Sequence, residues 1–422
     1  MTLETPVGYK AQTIESLPGY LKEHLPTKLH LGGEPETWEI NEIGDGNLNL
    51  VFIVSGKEKS IIVKQALPYV RAAGESWPLS LTRAFFEFNI LVEERKHAGG
   101  ELVPEAYFYD EQMALFVMEF LTPHIILRKE LIAGKKFENL SNDVGVFLAR
   151  TLFHTSDIGM DAAEKKTLVS RFALNHELCK ITEDLIFSEP YFDADRNNWT
   201  TPELDKDVAA VWQDKEMIQV AMKYKYKFMT EAQALVHGDL HSGSIMVTET
   251  DTKVIDPEFG FYAPMAFDIG NYIGNLFMSY FSQDGHQSIK ATCDIYKEWL
   301  VEQIEKTWTV FESEFRTLWR NKQIGDAYPN SIYQDSQHDH TLLNAAQDDF
   351  FRSLFIDTLV NAGLEMNRRI IGFAGVADFK QIENTELRVQ CERRALKLAR
   401  QLIVNAESFT NIEHVGKFAS QC

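Results

Sequence analysis

A change of period at about residue 120 constrains this chain more than any other feature of its sequence. Before it, residues 38–43, 50–55 and 60–65 are short runs rich in Ile, Val and Phe, parted by Gly44-Asp45-Gly46-Asn47 and Gly56-Lys57-Glu58. Such runs read as a three-strand antiparallel meander. A helix is expected ahead of them over 13–25, with Ser16 as its cap, and another after them over 81–96, capped by Ser80. Strands at 106–109 and 113–120, joined by Asp110-Glu111-Gln112, complete a sheet of five. Beyond residue 120 the apolar residues recur three and four apart, over 140–153, 207–233, 290–320 and 386–406. A strand-like island at 234–236, 244–247 and 253–255 interrupts them. The expected fold is therefore α+β and bilobal, with a sheet-based N-lobe over 1–120 and a mainly helical C-lobe over 121–422.

The island holds the densest polar cluster in the chain: His237-Gly238-Asp239-Leu240-His241-Ser242-Gly243-Ser244, then Asp256-Pro257-Glu258-Phe259. Should the residues between the two aspartates form a hairpin, both carboxylates emerge at the same end of it. One is then placed to orient a substrate hydroxyl and the other to hold Mg²⁺ on ATP phosphates, the division of labour that phosphoryl transfer needs. Either motif alone reads as a turn at a strand end. Two further features, a glycine loop and a strand lysine, stand ahead of them in kinase order and make coincidence a poor account. Gly44 to Asn49 forms a turn able to lay backbone N–H groups and the Asn47 side chain over phosphates. Lys64 ends the strand Ile61-Ile62-Val63-Lys64, and Glu87 on the following helix is its natural ion-pair partner. Met118-Glu119-Phe120 stands where a hinge would offer backbone groups to adenine.

Sixty-two acidic against 42 basic residues give a net charge of −20, which repels nucleic acid and anionic membranes, so neither is an expected partner. No run of about 18 apolar residues is present to span a bilayer. The N-terminus has no basic stretch leading into an apolar core, and the four cysteines follow no metal or disulfide spacing. A cytoplasmic protein is expected. His338-Asp339-His340 reads as a polar loop, because i and i+2 do not share a helix face.

The order of these motifs resembles the small-molecule kinases of the protein kinase-like fold, the aminoglycoside and choline phosphotransferases among them. Their HGDLHxxN loop has Asn where this chain has Ser244. The wording here is similar to the methylthioribose kinase family. It matches at Gly44-Asp45-Gly46-Asn47-Leu48-Asn49, Lys64-Gln65-Ala66-Leu67-Pro68-Tyr69, Gly74-Glu75-Ser76-Trp77-Pro78, His124-Ile125-Ile126-Leu127-Arg128, Phe267-Asp268-Ile269-Gly270 and Gln283-Asp284-Gly285-His286, as well as in both aspartate motifs. The resemblance implies transfer of the ATP γ-phosphoryl to the anomeric 1-hydroxyl of 5-methylthioribose, in methionine salvage, by a homodimer. It implies that Asn47, Lys64 and Met118 to Phe120 contact ATP, and that Asp256, Pro257 and Glu258 form the Mg²⁺ and phosphate motif. It gives Asp239 the sugar hydroxyl and sets Arg368 and Arg369 near the sugar. The alternatives are a kinase for an aminoglycoside- or choline-type alcohol and a nucleotide-binding regulator without catalysis.

Overall fold

The computed structural model describes residues 5–44, 48–71, 74–333 and 341–422. Its first part is an antiparallel sheet of five strands, β1 Glu39–Glu42, β2 Asn49–Ser55, β3 Ser60–Ala66, β4 Ala106–Asp110 and β5 Leu115–Glu119, in the order β1-β2-β3-β5-β4. Alternation along the strands gives the sheet two apolar faces. Phe52, Val54, Ile61, Val63, Leu115 and Val117 cover one, against Leu17 and Leu21 of α1 Leu17–His24. Ala66, Phe116 and Met118 point the other way, toward α2 Arg83–Ala98 and the rest of the chain. Lys64 shares this second face, since it stands two residues from Ala66 on β3.

The remainder is mainly helical, as expected, and is built of α3 Leu127–Ile132, α4 Leu140–His154, α5 Ala162–Phe172, α6 His176–Leu185, α7 Asp205–Gln213, α8 Lys215–Thr230, α9 Ala266–His286, α10 Lys290–Lys322, α11 Asn330–Tyr333, α12 Thr341–Ile371, α13 Ala377–Lys380, α14 Thr385–Val404 and α15 Ile412–Ala419. Two small antiparallel sheets lie among them. β6 Ile125–Ile126 flanks the hairpin β8 Ile245–Val247 with β9 Thr252–Val254, and β7 Ala234–Val236 pairs with β10 Phe261–Ala263.

Helix boundaries depart from the sequence expectation where a polar side chain takes another partner. Ser80 does not cap α2: its hydroxyl meets that of Thr82 at 2.8 Å and the helix begins at Arg83. Ser16 stands at the start of α1 but its hydroxyl turns back to Gln12. The single helix read over 207–233 is two, because the Asp214 carboxylate accepts from Met217 N–H and starts α8 as a true cap. Asn47, Gly46 and Asp45 of the glycine turn, and His338-Asp339-His340, lie outside the described residues.

The sequence pattern did not single out α9 and α12. Residues 266–283 of α9 are all buried, including the polar stripe Asp268, Asn271, Asn275, Ser279 and Ser282, so this helix has no solvent-exposed face over that length and forms the centre of the helical part. α12 crosses it closely at Gly270 and Gly274. A Cβ at the first would stand 2.5 Å from the Asn361 Cβ, and one at the second 2.8 Å from the Ala362 carbonyl oxygen. That contact sets the C-terminal half of α12 beneath the loop that follows β7.

Candidate active site

The β3 register pairs Lys64 with Val51 and Phe116, and its side chain runs toward α2. There the Lys64 ammonium bonds the Glu87 carboxylate, which is buried completely, and the Asp256 carboxylate, whose side chain is 44% exposed to the cleft. Burial works against the charge on Lys64, but Asp256 and Glu87 outweigh it and hold its pKa above the ordinary lysine value. Asp256 itself has φ 72°, in the left-handed region that aspartate tolerates better than most residues. Two residues on, the buried Glu258 accepts from Asn49 Nδ2 at 2.9 Å, and Asn49 in turn accepts from Arg83 Nε at 3.0 Å. Burial and then the neighbouring Asp256 charge push the Glu258 carboxyl up to about 7.

The second half of the site starts where β7 ends. Asp268, near the start of α9, accepts from the backbone N–H groups of His237 (2.6 Å) and Gly238 (3.0 Å) through its two oxygens. The His237 ring donates from Nε2 to the Ile255 carbonyl at 2.9 Å, because its Nδ1 accepts from Asp239 N–H at 3.3 Å. That bond ties the loop to the strand end just before Asp256. The residues between the aspartates do contain the β8–β9 hairpin, closed by Ile255 N–H on Ser244 O at 2.9 Å, and Asp239 and Asp256 flank its open end.

Gly238 makes the turn with φ 86°, and a Cβ there would stand 2.3 Å from the Phe259 carbonyl oxygen. Gly238→Ala is therefore expected to destabilise the fold by at least about 2 kcal/mol, from left-handed backbone and backbone clash together. Thermal denaturation checks this, and an unchanged melting temperature contradicts it.

Asp239 projects from this loop into a nest of cations. Arg368 Nη2 (3.3 Å) and Arg369 Nη2 (3.2 Å) converge on the same oxygen, Oδ1, while His241 Nε2 lies 3.3 Å from Oδ2. His241 Nδ1 accepts from Gly243 N–H at 3.0 Å, which assigns the proton of the neutral ring to Nε2, facing Asp239. Burial would raise the Asp239 pKa, but His241 and the two arginines outweigh it and hold the carboxyl well below its usual range. Ser244, at the position where the loop of the resembling kinases has Asn, donates its hydroxyl to the Asp239 carbonyl at 2.9 Å.

The sequence-derived candidates thus fall into two groups flanking one hairpin: Lys64, Glu87, Asp256 and Glu258 on one side, Asp239, Arg368 and Arg369 on the other. Pro257 is buried between the two carboxylates of its motif. Met118 and Glu119 end β5, and Phe120 follows half-buried; the Glu119 N–H already donates to Glu105 O at 2.8 Å. Arg368 and Arg369 are not the solvated helix face that their spacing alone suggests, each being 7% exposed. Sequence reasoning missed Glu365, Asn275 and Asp378, and gave no role to Asn49, Arg83, Arg128 or Asp268. Of these, Asn49, Arg128 and Asp268 lie within the stretches that match the family.

The description "Phosphotransferase enzyme family" fits residues 39–301 of this chain. A methylthioribose kinase of Escherichia coli O45:K1 is 65% identical, covering 98% of this chain and 98% of its own length. Methylthioribose kinase 1 of Oryza sativa subsp. japonica is 43% identical over 97% of this chain and 94% of its own. Among solved structures, a Plasmodium vivax ethanolamine kinase aligns with 92% of this chain and 88% of its own at 14% identity and a TM-score of 0.44.

Proposed function

The chain belongs to the methylthioribose kinases, within the phosphotransferase enzyme family, and from that membership we propose how its site phosphorylates methylthioribose from ATP. The observation that supports the assignment of roles is the convergence of both arginines on one oxygen of Asp239, across a hairpin from the Lys64–Asp256 pair. Asp239 accepts the proton of the anomeric 1-hydroxyl as that oxygen forms its bond to the γ-phosphorus. The bond from the γ-phosphorus to the bridging oxygen breaks at the same time, and the electron pair leaves on ADP. Arg368 and Arg369 face the charge that develops on the transferred group, and Lys64, held by Glu87, faces the other ATP phosphates.

The donor set suits Mg²⁺: Asp256 and Glu258 are hard oxygen ligands, and the burial and the Asp256 charge that lift Glu258 are both offset by a divalent cation. When bound, Mg²⁺ supplies charge neutralisation on the phosphate oxygens. Asn47 would join the phosphate contacts, and Met118, Glu119 and Phe120 the adenine contacts, of an N-lobe over 1–120; residues 121–422 form the sugar side. Ser244 leaves the metal to Asp256 and Glu258, since its hydroxyl is spent within the loop.

Readings as an aminoglycoside- or choline-type kinase, or as an inactive nucleotide-binding regulator, are not favoured by relatives of this identity. A cytoplasmic homodimer is the assembly that the family resemblance implies, with a sedimentation mass twice 48.3 kDa as the expected value. The position of transfer is tested by ¹³C and ³¹P NMR of the product. Phosphorus coupled to the anomeric carbon is expected; coupling to any other ring carbon overturns the assignment of Asp239 to the 1-hydroxyl.

A further inference from the structure

We infer that Glu365 is a positioning residue for the transfer: it grips the inner edge of both arginines so that their outer edges stay aimed at the oxygen of Asp239. The inference rests on the roles proposed above for Asp239 and the arginine pair. α12 carries Glu365, Arg368 and Arg369 at i, i+3 and i+4, so all three share one face of the helix. Glu365 is buried completely, where an unpaired carboxylate is not tolerated. It accepts from Arg368 Nε at 2.6 Å and from Arg369 Nε at 2.7 Å. The bonds from the same guanidinium groups to Asp239 are 3.3 and 3.2 Å.

That contrast assigns different jobs to the two carboxylates. The short bonds to Glu365 fix where each guanidinium sits; the long ones to Asp239 are at the loose end of the hydrogen-bond range and are readily ceded to a better acceptor, such as a phosphoryl oxygen. Glu365 is also tied to the catalytic loop from behind. Asn275 donates to it at 3.0 Å and accepts from Arg128 Nη2 at 2.9 Å, while Arg128 Nε donates to the Ser242 hydroxyl at 3.1 Å and faces Asp378 at 3.4 Å. Without the Glu365 charge, both guanidinium groups have Asp239 as their remaining shared carboxylate. They then close on it as forks and take from the sugar hydroxyl the oxygen it needs. The two arginine charges outweigh the burial of Glu365 and hold its carboxyl at about 2, so the anchor stays ionised throughout the working pH range.

The test is a kinetic cycle on the full chain with methylthioribose and MgATP. Glu365→Gln keeps the shape and removes the charge, and kcat is expected to fall about 10²-fold, the size of effect that misplacing a positioned group produces. KM for ATP, whose contacts lie across the hairpin, stays within about threefold. In a background of Arg368→Gln with Arg369→Gln, the same Glu365→Gln change is expected to alter kcat by less than about threefold, because a residue that acts through the arginines has nothing left to position. A merely structural role would cost the same in both backgrounds, and that result, or a wild-type kcat for Glu365→Gln, overturns the inference. If Glu365→Gln does not fold, Glu365→Asp keeps the charge at a shorter reach; a kcat lower by about tenfold at unchanged KM for ATP supports the inference and a wild-type kcat overturns it. Wild-type rates in Asp239→Asn and in the double arginine variant would instead show that the underlying reading of the site has failed.

Discussion

Replacing Asp239 with asparagine is expected to lower kcat by at least about 10³-fold, within the range that a positioned general base contributes. Asparagine has nearly the shape of aspartate and leaves an oxygen for the Arg368 and Arg369 contacts, but it cannot take the hydroxyl proton. The proposed ATP contacts are Lys64, Asp256 and Glu258, which do not touch Asp239, so KM for ATP is expected to stay within about threefold. Initial rates of ADP release at saturating methylthioribose measure both. The melting temperature is read alongside, because the variant removes an anion that two buried guanidinium groups and His241 share. A variant that folds and keeps a tenth of wild-type kcat contradicts the role given to Asp239.

The second large effect follows from Lys64→Met, which strands two anions at once. Glu87 is buried completely and loses its cation, and the cost of breaking such a pair is about 3 kcal/mol or more. The loss depends on pH with a definite sign. Burial, with the Asp256 and Glu258 charges, already holds the Glu87 carboxyl well above the ordinary carboxylate value against the opposing Lys64 charge; without Lys64 it rises further, so over a wider pH range the folded state binds a proton that the unfolded state releases. Stability of the variant therefore falls as pH rises above the unfolded carboxylate range and is partly recovered in acid. The gap in melting temperature from wild type is expected to be wider at pH 8 than at pH 5. A gap that is constant, or wider in acid, contradicts a buried Lys64–Glu87 pair. Turnover is expected to fall as well, since the ammonium proposed to face the phosphates is gone.

Much of the cluster proposed to face phosphate could be read in the sequence because its residues sit on short, strongly patterned elements. Lys64 closes a run of three β-branched residues, and Glu87 stands on a helix whose buried positions 84, 87, 91, 94 and 98 follow the helical period. Asp239 and Asp256 each follow a strand of three residues, so their placement at one end of a hairpin needed only the hairpin itself. The cluster proposed to face the sugar was hidden for the opposite reason. Glu365 is a single acidic residue in a helix, indistinguishable by spacing from a solvated one until α12 is known to lie under α9, where its surroundings become two arginines and an asparagine. α9 is buried all round over residues 266–283, and the polar residues it supplies, Asp268 and Asn275 among them, face other buried groups rather than solvent. Asn49 and Arg83 brace Glu258 across 209 and 175 residues of sequence respectively through one chain of bonds, and no local pattern records a contact of that separation. The arginines themselves were visible only through family wording, because the helical text around them does not reveal that their face is buried.

The most direct test of the central claim is ADP release from MgATP against a panel of methylthioribose, ribose, choline and kanamycin, run in parallel with wild type and Asp239→Asn. The account predicts turnover on methylthioribose by the wild-type chain, none on choline or kanamycin, and loss of that turnover in the variant. Turnover on choline or kanamycin in its place, or methylthioribose turnover that survives in Asp239→Asn, would contradict it.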